Sequence, residues 1–219
     1  MASPSGGSDM SSGAPAGSMA NGWAGASILG FLAFGITAML FGLSQLPKPY
    51  GVGFNVGLPG VTGLTDVVVG GLILILIGII GLLRGHPYWG SAFLGFGGFW
   101  AVWSTTGQGL WALIAAPPSS APYAIAAFAF VWMLFTLTYL LSSMKHGWFT
   151  FIAFLLLFVS FILLIVVSWQ TGAATKAPGV SSGEQWALGG LWIFTGLLWW
   201  LHGTADMTNH AYGRKVLPL

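Results

Sequence analysis

Residues 148–169 read WFTFIAFLLLFVSFILLIVVSW, and this stretch decides the fold. No charged side chain interrupts it from Trp148 to Trp169. A helix needs about 20 consecutive apolar residues to cross the hydrocarbon core of a bilayer, whereas a barrel strand needs roughly ten, alternating in polarity. The run is continuously apolar, so it predicts a transmembrane helix. Five more runs of the same kind accompany it, at 23–46, 63–83, 90–116, 123–143 and 185–203. The breaks between them, 47–63, 84–87, 117–122, 145–147 and 171–184, collect turn-forming residues and most of the charges. The expectation is an all-α polytopic membrane protein with six transmembrane helices over 23–206. A Ser-, Gly- and Pro-rich tail at 1–22 is expected to be disordered, and 207–219 forms a short C-terminal tail. No basic segment precedes an apolar run in the first residues, so they do not read as a signal peptide.

The composition agrees. Hydrophobic side chains make up 56% of the chain and charged ones 5%, where a soluble domain carries about a quarter charged. Thirty-four glycines and twelve tryptophans suit close helix packing and interfacial anchoring. A net charge of +2 is too small for a nucleic-acid surface, and the absence of cysteine removes disulfides and thiolate chemistry. With six spans, Arg84, Lys145, Arg214 and Lys215 share one face and Lys48 and Lys176 the other. The excess predicts both termini in the cytoplasm and a place in the cell membrane.

Small residues recur at helical spacing: Ala26 with Gly30, Gly71 with Gly78, Gly189 with Gly196. Each pair puts a smooth patch on one helix face, where a neighbouring backbone approaches closely. The cluster Gly95-Phe96-Gly97-Gly98 either loosens the third helix or lines a cavity.

Intramembrane polar groups are costly and so informative. Asp66 and Glu184 open the second and sixth helices, where a carboxylate suits the positive helix end. Asp206 closes the sixth span four residues after His202, so the two meet on one face. That pair reads either as a proton relay or as an interfacial cap. Enzyme readings find no HExxH, no pair of core-facing carboxylates and no haem ligand pair, and no cofactor or metal is expected. What remains is a nearly uncharged bundle with hydroxyls at Ser27, Thr37, Ser91, Ser104, Thr105, Thr136, Thr138, Ser160 and Thr195. It suits a small, partly apolar solute better than an inorganic ion. Each hydroxyl taken singly reads as a back-bond to its own helix.

Several segments resemble the succinate–acetate permease (acetate uptake transporter) family. They are Leu29-Gly-Phe-Leu-Ala-Phe-Gly-Ile-Thr37, Gly90-Ser-Ala-Phe-Leu-Gly-Phe-Gly-Gly-Phe-Trp100, Trp132-Met-Leu-Phe-Thr136 with the Lys145 turn, and Gly189-Gly190 through Asp206, Asn209 and Tyr212-Gly-Arg-Lys-Val-Leu-Pro218. The resemblance spans 25–219. It implies a homo-oligomer, a hexamer, with a pathway through each protomer for acetate or related short carboxylic acids, commonly proton-coupled. The family's hydrophobic constriction carries over to Phe34, Phe96 and Leu157. Substrate contacts are expected at Ser27, Leu29 and Gly30 near the mouth, at Ser91 and at Trp199, with His202 and Asp206 as the proton-coupling pair.

Departures accompany the matches. The family opens its first helix with Asn-Pro-Ala-Pro-Leu-Gly, exposing backbone N–H groups suited to a carboxylate. Here Gly25-Ala-Ser-Ile-Leu-Gly30 stands there, with Gly25 and Ser27 left to present them. Leu74 replaces a usual Gln, Gly81 a frequent acid, Phe96 the constriction Tyr, and Trp199 a small residue. All make the path narrower or less polar. The expected function is therefore transport of short monocarboxylates. The alternatives are a structural or accessory membrane subunit on the same fold and a channel for a small neutral solute.

Overall fold

The computed structural model describes residues 17–47, 65–107, 121–173 and 180–218. Their regular secondary structure is helical. Helix α1 is Gly17–Gln45. A π-helical segment, Asp66–Ile73, runs without a break into α2, Leu74–Leu83. Then come α3, Pro87–Gly107, α4, Ala121–Ser143, a 3₁₀ turn at Met144–His146, α5, Trp148–Ala173, and α6, Ser182–Tyr212. Four of these segments, Gly25–Gln45, Asp66–Leu83, Pro122–His146 and Trp148–Thr171, are long and apolar enough to cross a membrane. The protein is a multi-pass helical membrane protein.

Two expected boundaries shift. Helix α1 begins at Gly17, inside the segment expected to be a tail, and residues 1–16 lie outside the described ones. Helix α6 continues past Asp206 to Tyr212, so the C-terminal tail is shorter than 207–219. It stops where Gly213 takes a left-handed φ of 62°, which costs a glycine little. Asn209 then folds the tail back on the helix: its Oδ1 accepts from the N–H groups of Val216 (2.6 Å) and Leu217 (2.8 Å), and its Nδ2 donates to the Leu217 carbonyl (2.9 Å). Of the cations counted for orientation, Lys48 and Lys176 lie outside the described residues.

Glycines set the helix distances. A Cβ on Gly35 would lie 2.7 Å from the Gly196 carbonyl, and one on Gly196 2.6 Å from the Gly35 carbonyl. Gly42 and Gly189 face each other in the same way, and Gly203 abuts the Ile28 carbonyl. The pairs run 28–203, 35–196, 42–189, so α1 and α6 are antiparallel and in backbone contact. The second close pair is α2 with α3, where a Gly78 Cβ would meet the Leu94 backbone at 2.4 Å and Gly97 backs on Ile75. The glycine cluster of α3 therefore neither breaks the helix nor opens it. Gly97 admits α2, while Gly95 holds the edge of the Phe135 ring from α4. Helices α4 and α5 form a hairpin turned at Gly147, φ 102°.

The two carboxylates expected as caps part company. Glu184 completes a capping box: its backbone N–H donates to Ser181 Oγ (3.2 Å), and its Oε2 accepts from the Ser181 N–H (2.8 Å). Gln170 Nε2 donates to Glu184 Oε1 (2.9 Å), tying the end of α5 to the start of α6. The Ser181 N–H, followed by Gln170 and the Ser181 hydroxyl, holds the Glu184 carboxyl below its usual pKa. The sign follows: the contribution is complete above the unfolded carboxyl's pKa and is lost as pH falls through the depressed one. Ser181→Ala removes the cap and should cost about 1 kcal/mol, read from unfolding in detergent; an unchanged midpoint would contradict it. Asp66 instead opens the π-helix, is buried, and its Oδ1 has no hydrogen-bond partner among the described residues.

Candidate functional site

Phe34 on α1, Phe96 on α3 and Leu157 on α5 come together, although they are far apart in sequence. With Trp199 of α6 they line a single cavity of about 10 Å³, whose other walls include Phe31 and Phe154. That is room for roughly one water molecule. No polar surface lines it.

Three of the ring pairs meet edge to face, an arrangement their quadrupoles favour. Phe34 and Phe96 are 5.2 Å apart at 68°, Phe34 and Trp199 5.9 Å at 78°, and Phe154 and Trp199 4.9 Å at 72°. The glycine contacts explain why Phe34 and Trp199 touch: with Gly35 and Gly196 on the shared face, no Cβ holds α1 and α6 apart. Phe31 and Phe154 were not singled out from the sequence. Each stands three residues before an expected constriction residue, Phe34 or Leu157, and so shares its helix face.

The other expected contacts do not gather there. Leu29 is 48% exposed on the surface of the bundle, and Gly30 is buried under the Phe93 ring. Ser27 is half-buried. Helix α1 is unbroken through 25–30, so the backbone N–H groups there are spent on intrahelical bonds. Gly25 and Ser27 therefore lie inside a continuous helix. Ser91 lies outside the cavity wall, accepting from Tyr139 Oη at 2.8 Å and donating to the Pro87 carbonyl, with the Tyr88 carbonyl farther off at 3.2 Å.

The hydroxyls behave as each one singly was expected to. Thr37, Thr136, Thr138 and Ser160 each donate to the carbonyl four residues back. Such back-bonds are the low-energy choice for a hydroxyl in an apolar helix. Ser160 and Thr195, 3.5 Å apart, make a contact between α5 and α6. The side chains of Ser104 and Thr105 lie outside the described residues.

His202 and Asp206 meet as their spacing predicts, Nε2 to Oδ2 at 3.6 Å. The His202 ring lies 4.3 Å from that of Phe31, one of the cavity's walls.

Residues 7–216 match the model of the GPR1/FUN34/yaaH family. The chain belongs to this family. It is the succinate–acetate permease family that the motifs resemble. An uncharacterized protein of Methanothermobacter thermautotrophicus (strain Delta H) is similar, 28% identical over 87% of this chain and 88% of its own length. Among solved structures, the bacterial acetate channel SatP superposes with a TM-score of 0.72 at 21% identity, over 89% of this chain and 97% of that one. The fold is thus that of SatP.

Proposed function

We propose that this family member is a membrane channel or transporter for acetate and related short-chain monocarboxylates. It crosses the membrane six times, with both termini cytoplasmic in the cell membrane, and works as a homo-oligomer, a hexamer, with one pathway per protomer. One observation carries the reading: Phe34, Phe96 and Leu157, placed by motif alone, wall the same small cavity in a chain with the fold of an acetate channel.

An apolar neck suits this task. Stripping water from a bare carboxylate among aromatic rings is costly, whereas a neutral acid, or an anion paired in passing, crosses at lower cost. In its present volume the cavity is too small for an acid, so passage requires the rings of Phe34, Phe96 and Trp199 to turn aside. Coupling to protons runs through His202 and Asp206, the titratable pair beside the neck.

The test is uptake of labelled acetate, propionate and butyrate into proteoliposomes, with and without an inward proton gradient. Saturable uptake that rises with the gradient is the expected result. Asp206→Asn should flatten its pH dependence, and an unaltered profile sinks the coupling role. The small, wholly apolar cavity also favours a second reading, an accessory subunit in which Trp199 plugs a lost path. No uptake above empty liposomes, from folded and oligomeric protein, would select it.

A further inference from the structure

Two neighbouring residues on α6 carry buried polar atoms that nothing in the described structure satisfies. His202 Nδ1 is one and Trp199 Nε1 the other. They stand three residues apart on one helix face, their rings 6.3 Å apart. Around His202 are the rings of Phe31 at 4.3 Å, Phe149 at 5.8 Å and Trp89 at 6.2 Å. A buried donor or acceptor left without a partner is a cost that native structures rarely keep without a use. Here Trp199 lines the aromatic cavity, and His202 packs on Phe31 and lies beside Trp199, two of its walls.

We propose that His202 Nδ1 and Trp199 Nε1 hold the carboxyl group of the acid, one oxygen each, with its alkyl end toward the cavity. This rests on the monocarboxylate reading above and names the atoms that would recognise the substrate. Trp199 Nε1 is a donor only, so it serves a carboxyl oxygen in either protonation state. His202 serves both. The Asp206 carboxylate beside Nε2 favours the proton on that nitrogen, leaving Nδ1 bare to accept from the acid's O–H. If the proton crosses, the O–H bond breaks and the Nδ1–H bond forms. A carboxylate then faces an imidazolium, itself paired with Asp206. Acid and site thus share one proton.

The groups facing His202 from α1, α3 and α5 are the rings of Phe31, Trp89 and Phe149, none of which titrates. On its own helix the charged group beside it is Asp206, and His146, stacked on Tyr88, is reached through Trp89. The arrangement also sets specificity. A second carboxylate, as in a dicarboxylic acid, would enter a cavity without polar surface, so monocarboxylic acids are preferred.

Equilibrium binding of labelled acetate to the purified full-length protein in detergent tests this, with transport measured in parallel. Wild type should bind acetate and reject succinate. His202→Phe should bind at least about tenfold more weakly, and Trp199→Phe, which keeps an aromatic ring but loses the N–H, several-fold more weakly. Unchanged acetate affinity in either variant, with wild-type transport intact, overturns the two-point arrangement and leaves the monocarboxylate reading standing. Absence of both binding and uptake in wild type overturns both. If His202→Phe does not fold, the ¹⁵N shift of His202 Nδ1 in wild type decides: it should move on titration with acetate, and a fixed shift refutes the contact.

Discussion

Trp199→Ala widens the neck and shifts uptake toward longer acids. The indole touches Phe31, Phe34 and Phe154 and has only 3% of its surface exposed, so its loss leaves a void in the middle of the cavity wall. Butyrate uptake relative to acetate should rise about tenfold, equivalent to about 1.4 kcal/mol off the barrier for the larger acid. Phe34→Ala should act in the same direction, since that ring closes on both Phe96 and Trp199. Stability moves the other way. Truncating a buried Phe or Trp costs roughly 3–5 kcal/mol in a soluble core. Lipid tails are as apolar as the site, so the transfer part of that cost shrinks and the lower end is expected. Selectivity unchanged in both variants, measured in proteoliposomes, would show that these rings pack the bundle without gating it.

Gly196→Ala should loosen the whole bundle. Its methyl would sit 2.6 Å from the Gly35 carbonyl oxygen and 2.7 Å from the Met39 nitrogen. Both are backbone atoms, so no side chain can swing away and the two helices must separate. Overpacking of this kind costs roughly 1–3 kcal/mol, and rigid backbone neighbours place it at the upper end. Separation also draws Trp199 from Phe34, so transport should fall along with the unfolding midpoint. Gly190→Ala is the control, because nothing lies within 4 Å of its would-be Cβ. That change should be neutral, or stabilise the helix by up to about 1 kcal/mol through propensity. If the two variants unfold alike in detergent, close α1–α6 contact is not what holds the bundle.

The sequence was most legible where the governing physics is local. Uninterrupted apolarity over a span's length marked α5, α4 and α1, because crossing a bilayer depends on length and composition alone. The Glu184 cap was readable because it needs only Ser181 three residues earlier. The spacing of Gly189 and Gly196 announced a packing face, and His202 with Asp206 announced a contact, both from helical periodicity. Asp66 shows where such reasoning stops. Its position predicted the same capping role as Glu184, yet it begins a π-helical segment and is buried, with its Oδ1 unpartnered among the described residues. The unbroken α1 shows it again. Gly25–Gly30 sit inside a continuous helix, so their N–H groups are spent on intrahelical bonds.

By itself, then, the chain determined a helical membrane protein, the placement of its apolar runs, one helix cap, and the small-residue faces through which its helices meet. Only the tertiary structure decided which of many aromatic rings face one another across the cavity. Lipid-facing and cavity-facing rings share a composition, and what separates them is the rotation of each helix about its axis. That rotation is set by backbone contacts such as Gly35 with Gly196, between residues far apart in sequence. For the same reason the buried, unpartnered Nδ1 of His202 and Nε1 of Trp199 could not be read from the sequence. Whether a polar atom finds a partner depends on every helix packed around it.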